Sequence, residues 1–336
     1  MMTTNLGDLS RAFLLRRQTS TVKADLNQLS AELGSGRLSD LQSRLDGNFG
    51  ALAGVEHGLK LNAGYAASNR DAGQFAAAQQ LALTGVLDIT TRAGADYLNV
   101  ASTGETTQRN TIYAQAADQL DQLLARLNTS FGDRSLFAGV ATDAPAIADA
   151  ATLLAGLSTA LSGQTTAAGV QAAADAWFDT PGGGFETTVY QGATTDLAPF
   201  DIGENAQVAL TTRADAQPLR EVLKQVAVTA LMGQGLLAGN VAEQKRLLAD
   251  AGAGLMNSAD EVTALKAGIG YDEERIDTAR LRSDSQAAAL RMAQNALVQA
   301  DPFETALRLS EVEAQLETIY TLTARLSGLS LVSVLR

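Results

Sequence analysis

The chain has 336 residues, of which 46% are hydrophobic but only 5% aromatic, a balance typical of helices packed on helices rather than of a β-sandwich. A formal net charge of −12 argues against a nucleic-acid binder that uses a broad basic face. With no cysteine and one histidine, the sequence excludes disulfides, thiolate metal sites and cysteine nucleophiles, and no apolar run reaches the ~18–20 residues that span a bilayer.

The N-terminal arm predicts long helices, since residues 1–144 contain no proline. An apolar seam at spacings of 4 and 3 comprises Leu15, Thr19, Val22, Leu26, Leu29 and Leu33. Gly34-Ser35-Gly36 should stop this helix, because each glycine costs about 1 kcal/mol of helix propensity. Further helix is expected from Phe49 to about Phe131, with a break at Ser102-Thr103-Gly104. One face of it is marked by Val86, Ile89, Ala93, Tyr97 and Val100.

The middle of the chain differs from the arms, since four of the five prolines lie between residues 145 and 218. Residues 146–176 are rich in alanine and predict helix. The β-favouring run Phe185–Tyr190 predicts a strand, and two further short strands are expected at Leu197–Ile202 and Gln207–Thr212. This segment indicates a small inserted α+β domain at residues 141–218.

The C-terminal arm carries the longest heptad pattern. Its seam comprises Leu255, Ser258, Val262, Leu265, Ile269, Asp272, Ile276, Ala279, Ser283, Gln286, Leu290, Ala293, Leu297 and Ala300, within one helix expected from Val241 to Ala300. Asp301-Pro302-Phe303-Glu304 then predicts the start of a new helix, with Asp301 as the N-cap and Glu304 completing a capping box. Its seam comprises Leu309, Val312, Leu316, Ile319, Thr323, Leu326 and Ser330.

The predicted fold is mainly α, with long antiparallel helical bundle or coiled-coil arms from both termini and a small α+β inserted domain. We divide it into terminal helices at 1–40 and 301–336, a helical rod at 41–140 and 219–300, and an outer domain at 141–218. The stripe from residue 255 to 300 is expected to pack within the molecule, against the N-terminal arm.

No set of reactive residues predicts an enzyme, a cofactor or a metal site. His57 has no assignable acid or nucleophile beside it. Gly182-Gly183-Gly184 lacks the phosphate-loop pattern and predicts a turn. The acids Asp272-Glu273-Glu274 diverge around a helix, and Arg16-Arg17 fits an ordinary helix surface.

The two terminal stripes point to assembly. They could pair with each other, but a two-helix hairpin buries little apolar surface, so we expect part of these faces to be buried between molecules. The expected assembly residues are Leu6, Leu9, Phe13, Leu15, Val22, Leu26, Leu309, Val312, Leu316, Ile319, Leu326 and Leu329.

Several short motifs, in order and at both ends, resemble the flagellin superfamily. Leu29 to Asp40 is similar to the passage from the first helix into glycines, Ser135-Leu136-Phe137-Ala138-Gly139 to the "LFaG" ending of the first arm, and Tyr190-Gln191-Gly192 to the "YqG" of the inserted domain. Residues 267–276 resemble the returning helix. Residues 316–331 resemble the terminus of the hook-associated protein 3 group, the hook–filament junction proteins.

That resemblance implies a structural subunit whose terminal helices assemble in a helical ring. The implied partners are hook-associated protein 1, flagellin and a flagellar export chaperone that binds the C-terminal helix, with no nucleic acid and no membrane. It also implies an extracellular place in the flagellum, reached by type III export without a cleavable signal. A flagellin filament subunit and a cytosolic coiled-coil scaffold remain alternatives.

Overall fold

A computed structural model describes residues 5–334, with side chains described for residues 10–325 except 12 and 43. The described chain forms two compact units. One contains residues up to 62 and from 285 on, and the other contains residues 63–284. The predicted mainly α fold with a small α+β part is confirmed.

The helices are α1 (Asn5–Ser35), α2 (Leu41–Arg44), α3 (Gly50–Thr103), α4 (Thr106–Leu127), α5 (Ala150–Ala160), α6 (Ala167–Asp179), α7 (Gln217–Gly233), α8 (Val241–Val298) and α9 (Pro302–Val334). Two antiparallel hairpins pair β1 (Ser130–Phe131) with β2 (Arg134–Ser135) and β3 (Phe200–Gly203) with β4 (Ala206–Val208). None of the helices in the described part of the chain carries an apolar stretch long enough to cross a bilayer.

Within residues 63–284, helices α3, α4, α7 and α8 pack as a bundle. Tyr97 on α3 is fully buried and its hydroxyl donates to Gln119 Oε1 on α4 at 2.8 Å. Helices α3 and α8 run antiparallel and approach closely at Gly94 and Gly252. The core of these four helices is largely aliphatic and includes Leu83, Leu120, Leu123, Leu127, Leu223 and Leu255. The expected packing of α8 against the N-terminal arm is therefore confirmed in this unit.

Helices α1 and α3 end at the glycine-containing breaks that the sequence predicted. Helix α1 ends at Ser35, and Gly36 adopts a left-handed φ of +68°. Helix α3 ends at Thr103, and the guanidinium of the buried Arg109 donates to the carbonyl of Gly104 at 3.0 Å. A cation near a helix C-terminus is attracted to the negative end of the helix dipole. This attraction and the hydrogen bond help this buried position to accommodate an arginine.

The predicted strand at Phe185–Tyr190 is wrong. Residues Phe185–Val189 form a π-helical turn, and the amide of Tyr190 donates to the carbonyl of Phe185 at 2.8 Å. Phe185 and Val189 are fully buried while the three residues between them are exposed, which is a helical period and not a strand alternation. The two other expected strands exist but are shorter, as β3 and β4.

The seam predicted along α8 fails at two positions, since Gln286 and Ala293 are exposed, while its later members Leu290, Leu297 and Ala300 are partly or fully buried. Ala287 is partly buried in place of Gln286. The seam therefore advances by two successive steps of four residues, from 279 to 283 and from 283 to 287. Such a stutter locally unwinds a coiled coil, and a strict continuation of the heptad misses it.

Two motifs that the sequence places 50 residues apart meet in space. The amide of Ala193, which follows Tyr190-Gln191-Gly192, donates to the carbonyl of Ala138 at 2.9 Å. The hydroxyl of Tyr190 donates to the carbonyl of Ala193 at 2.9 Å, and burial raises the pKa of Tyr190 to about 12. Beside them, Gln79 of α3 donates to the carbonyl of Leu136 at 2.8 Å. We call this contact region the motif junction.

Candidate assembly surface

Helices α1 and α9 form an antiparallel pair whose ends are tied by backbone bonds. The amide of Leu38 donates to the carbonyl of Val298 at 2.9 Å, and the amide of Ala300 donates to the carbonyl of Gly36 at 3.0 Å. These bonds join the turn after α1 to the turn before α9. Farther along, the ammonium of Lys23 lies 5.6 Å from the centre of the Tyr320 ring. The terminal helices thus pair with each other, one of the two arrangements that the sequence left open.

The seam of this pair contains seven of the twelve expected assembly residues. Val22 and Ile319 are buried, with 6% and 5% of their surfaces exposed. The half-buried members are Leu15, Leu26, Leu309, Val312 and Leu316. Phe13 is instead 67% exposed. The side chains of Leu6, Leu9, Leu326 and Leu329 lie outside the described residues.

The seam differs from the prediction at the end of α1. Leu33, expected on the seam, is 41% exposed, and Glu32 is buried instead, at 5%. The carboxylate of Glu32 accepts from the amide of Ser39 at 2.8 Å and from Gln28 Nε2 at 3.0 Å. A buried carboxylate is tolerated where hydrogen bonds replace its hydration. No apolar pattern signals such a position, so the sequence analysis missed it.

Large apolar side chains remain outside the seam on both helices. Phe303 is 88% exposed, Leu307 68%, and Leu14 58%. Tyr320 and Leu322 are about half exposed. Because the pair is antiparallel, Phe303 and Leu307 lie near the end closed by Gly36 and Ala300, while Leu14 lies toward the opposite end. Exposed apolar side chains are candidates for contact with other molecules, and these residues were not in the expected set.

A groove of about 340 Å³ also opens on the pair. Leu29 and Val312 supply its apolar lining, and the rim carries both signs of charge, from Asp25, Arg308 and Glu311. The surface therefore combines apolar contact area with mixed charge, as protein–protein interfaces do.

The remaining singled-out residues occupy structural positions. His57 is exposed on α3, and Asp272 pairs with Arg275 at 3.2 Å on α8. Gly184 packs against the Trp177 indole, where a Cβ atom would lie within 1.8 Å of Nε1. Among the described residues, no group of three or more histidine and acidic side chains is close enough to hold a metal ion.

The fold is similar to that of one solved structure, whereas no protein-family model and no curated protein matches the sequence. FlgL from Bacillus cereus is similar with a TM-score of 0.51 at 15% sequence identity, over 70% of this chain and 96% of that one. A flagellar hook-associated protein from Vibrio parahaemolyticus is similar with a TM-score of 0.42 at 13% identity, over 71% and 95%. The likeness to FlgL shows a shared fold.

Proposed function

We propose that the chain is a structural subunit of the bacterial flagellum, placed at the hook–filament junction and assembled through α1 and α9. The observation that carries the proposal is the terminal helix pair, which closes a narrow seam while leaving Phe13, Phe303 and Leu307 largely exposed. Fully burying one such side chain contributes about 1.5–3 kcal/mol. A neighbouring subunit that covers several of them would supply much of the free energy of assembly.

Two further observations support a hook-associated role. The fold is shared with FlgL over nearly the whole of that chain. The motifs at residues 135–139 and 190–192, which resemble the hook-associated protein 3 group, lie together in the motif junction. In this role the chain is not an enzyme and needs no cofactor. The terminal helices would contact hook-associated protein 1 on one side and flagellin on the other, within a helical ring.

The proposed role also requires a route out of the cell. The subunit would leave the cell unfolded through the flagellar type III channel, without a cleavable signal, and a flagellar export chaperone would bind α9 beforehand. Chaperone binding would cover the exposed apolar residues of α9 while the chain is still in the cell.

Localisation tests the proposed function directly. In sheared flagella, immunogold labelling should give a single band between hook and filament. Labelling along the filament would identify a flagellin instead, and retention inside the cell would identify a cytosolic coiled-coil scaffold. Removal of residues 306–336 should abolish attachment of the filament.

Point variants separate assembly from folding. Phe303→Asp/Leu307→Asp places charges on exposed apolar positions and should block incorporation at the junction without changing the circular dichroism of the purified protein. The matched control is Gln315→Asp/Thr318→Asp, which places the same two charges on exposed polar positions of α9. Equal incorporation of the two variants would contradict an assembly role for the apolar residues.

A further inference from the structure

Residues 196–213 form a loop that is closed at its base by charge. The Arg213 guanidinium pairs with Asp196, at the start of the loop, and with Asp215 just beyond its end. Its bond to Asp215 is bidentate, with Nε to Oδ1 at 2.9 Å and Nη2 to Oδ2 at 3.1 Å. Bidentate arginine–carboxylate pairs fix geometry as well as contribute energy, so Asp215 orients the guanidinium. The pair of Arg213 with Asp196 then joins the two ends of the loop.

The hairpin of β3 and β4 in this loop contacts two helices, one through each strand. The carbonyl of Ile202 on β3 accepts from Asn69 Nδ2 of α3 at 3.2 Å, and Phe200 lies 6.0 Å from Phe75 of α3 between ring centres. The carbonyl of Gln207 on β4 accepts from Arg275 Nη2 of α8 at 2.8 Å. One hairpin therefore bridges α3 and α8.

The bridged section of the helices lies beyond the end of α4. Arg126, at the last turn of α4, packs over Gly85 of α3, so residues 69–80 of α3 extend past it. In this section Gly73 faces Ile276 of α8, with 3.6 Å between a Cβ atom at Gly73 and Ile276 Cγ2. A pair of helices alone buries only one stripe on each and gains little stability from it.

We propose that residues 196–213 act as a strap that holds α3 and α8 together where the four-helix bundle has ended. The strap is anchored by the Arg213 ion pairs and grips each helix through a backbone carbonyl. Because the two carbonyls belong to different strands of one hairpin, a slide of one helix along the other would break one of the two bonds. The strap thereby extends the register that two direct bonds between the helices set farther along, from Gln80 Nε2 to the Lys266 carbonyl and from Lys266 Nζ to Thr84 Oγ1, both at 2.7 Å.

Amide hydrogen exchange on the purified full chain tests the strap. In Asn69→Ala/Arg275→Ala, exchange in residues 63–80 and 265–284 should rise roughly tenfold, because two hydrogen bonds to the hairpin are lost. Exchange in α4 should not change. Arg275→Ala alone, which replaces an exposed side chain, should give a smaller rise at the same sites.

The control variant is Arg280→Ala. Arg275 and Arg280 each pair with an aspartate three residues earlier on α8, at 3.2 and 3.1 Å. Within the described contacts, only Arg275 also bonds the hairpin. Arg280→Ala should therefore leave exchange in both segments unchanged. Equal exchange in Arg275→Ala and Arg280→Ala would overturn the proposal.

A disulfide can replace the strap, because the chain has no cysteine of its own. In a Gly73→Cys/Ile276→Cys background, the strap variant should exchange fast when reduced and regain slow exchange in 63–80 and 265–284 when oxidised. Fast exchange that persists in the oxidised protein would show that the hairpin does not act by joining the helices, and would also overturn the proposal.

Discussion

The unit of residues 63–284 and the pair of α1 and α9 use similar heptad patterns but bury them differently. In the larger unit, each bundle helix has several neighbours, and Leu83, Tyr97 and Leu120 are fully buried. In the terminal pair each helix has one described partner, so most seam residues are only half-buried. The comparison shows that the burial of an apolar stripe depends on how many elements cover it.

The polar contacts differ in the same direction. In the larger unit, buried amides bind loop carbonyls, as Gln79 and Asn69 do. Lys224, at 3% exposure, pairs with Asp175, Asp179 and Glu221 and so joins α7 to α6. Such contacts specify one arrangement of chain segments, because a displaced partner leaves a buried polar group unsatisfied. Glu32 is the corresponding buried group in the terminal pair.

The largest effect should come from Gly139 in the motif junction. Its φ of +63° disfavours any other residue, and an added Cβ would lie 2.5 Å from the Thr195 carbonyl oxygen and 2.7 Å from that of Ala193. Gly139→Ala should lower the free energy of unfolding by about 4 kcal/mol in urea denaturation, from strain plus overpacking.

Gly132→Ala separates the two causes. Gly132 has a similar φ of +56° but nothing within 4 Å of an added Cβ. This variant should show only the cost of the left-handed backbone, about 1–2 kcal/mol. Similar losses in both alanine variants would show that the close carbonyls contribute nothing.

A large-to-small pair compares the two regions directly. Leu120→Ala in α4 should cost about 3 kcal/mol and lower the main melting transition, since the site is enclosed on all sides. Ile319→Ala on α9 should cost about 2 kcal/mol, and the cost should appear as faster amide exchange in α1 and α9. A fall of the main transition in Ile319→Ala as large as in Leu120→Ala would show that the regions unfold as one.

Proline and glycine placement predicted the elements well, because those residues act locally. The stop of α1 at Gly34-Ser35-Gly36, the break before Thr106 and the start of α9 at Pro302 each follow from backbone propensities.

The errors came where packing outweighed local preference. Phe185-Glu186-Thr187-Thr188-Val189 has β-favouring side chains, but Phe185 stacks 5.3 Å from Phe178 and Val189 faces the same core, which selects a helical turn. Exposure of Leu33 and burial of Glu32 depend on which face of α1 meets α9. The exposed apolar residues Phe303 and Leu307 could not be assigned from one helix alone.

Glu32 offers a smaller test within the terminal pair. Glu32→Leu removes the acceptor for the amide of Ser39 and for Gln28. We expect a loss of about 0.5–1.5 kcal/mol in local stability, since Ser39 and Gln28 are exposed and only the hydrogen bonds to the carboxylate are lost. Exchange of the Ser39 amide should rise, with Glu311→Leu as the exposed control on α9. Unchanged protection of Ser39 would contradict the role assigned to the buried carboxylate.

The start of α9 provides the smallest and most local comparison. Asp301 Oδ1 accepts from the amides of Phe303 at 2.8 Å and Glu304 at 3.2 Å, which satisfies two amides that the helix itself leaves unpaired. Glu304, expected to complete a capping box, instead pairs with Arg308 at 2.6 Å on an exposed face.

Asp301→Ala should cost about 1 kcal/mol in helix stability, and Asp301→Asn much less, because both Asp and Asn cap well. Glu304→Gln should stay within about 0.5 kcal/mol, since exposed ion pairs contribute little. Amide exchange in residues 303–308 measures all three, and an effect of Glu304→Gln equal to that of Asp301→Ala would show that the ion pair, and not the cap, holds the first turn.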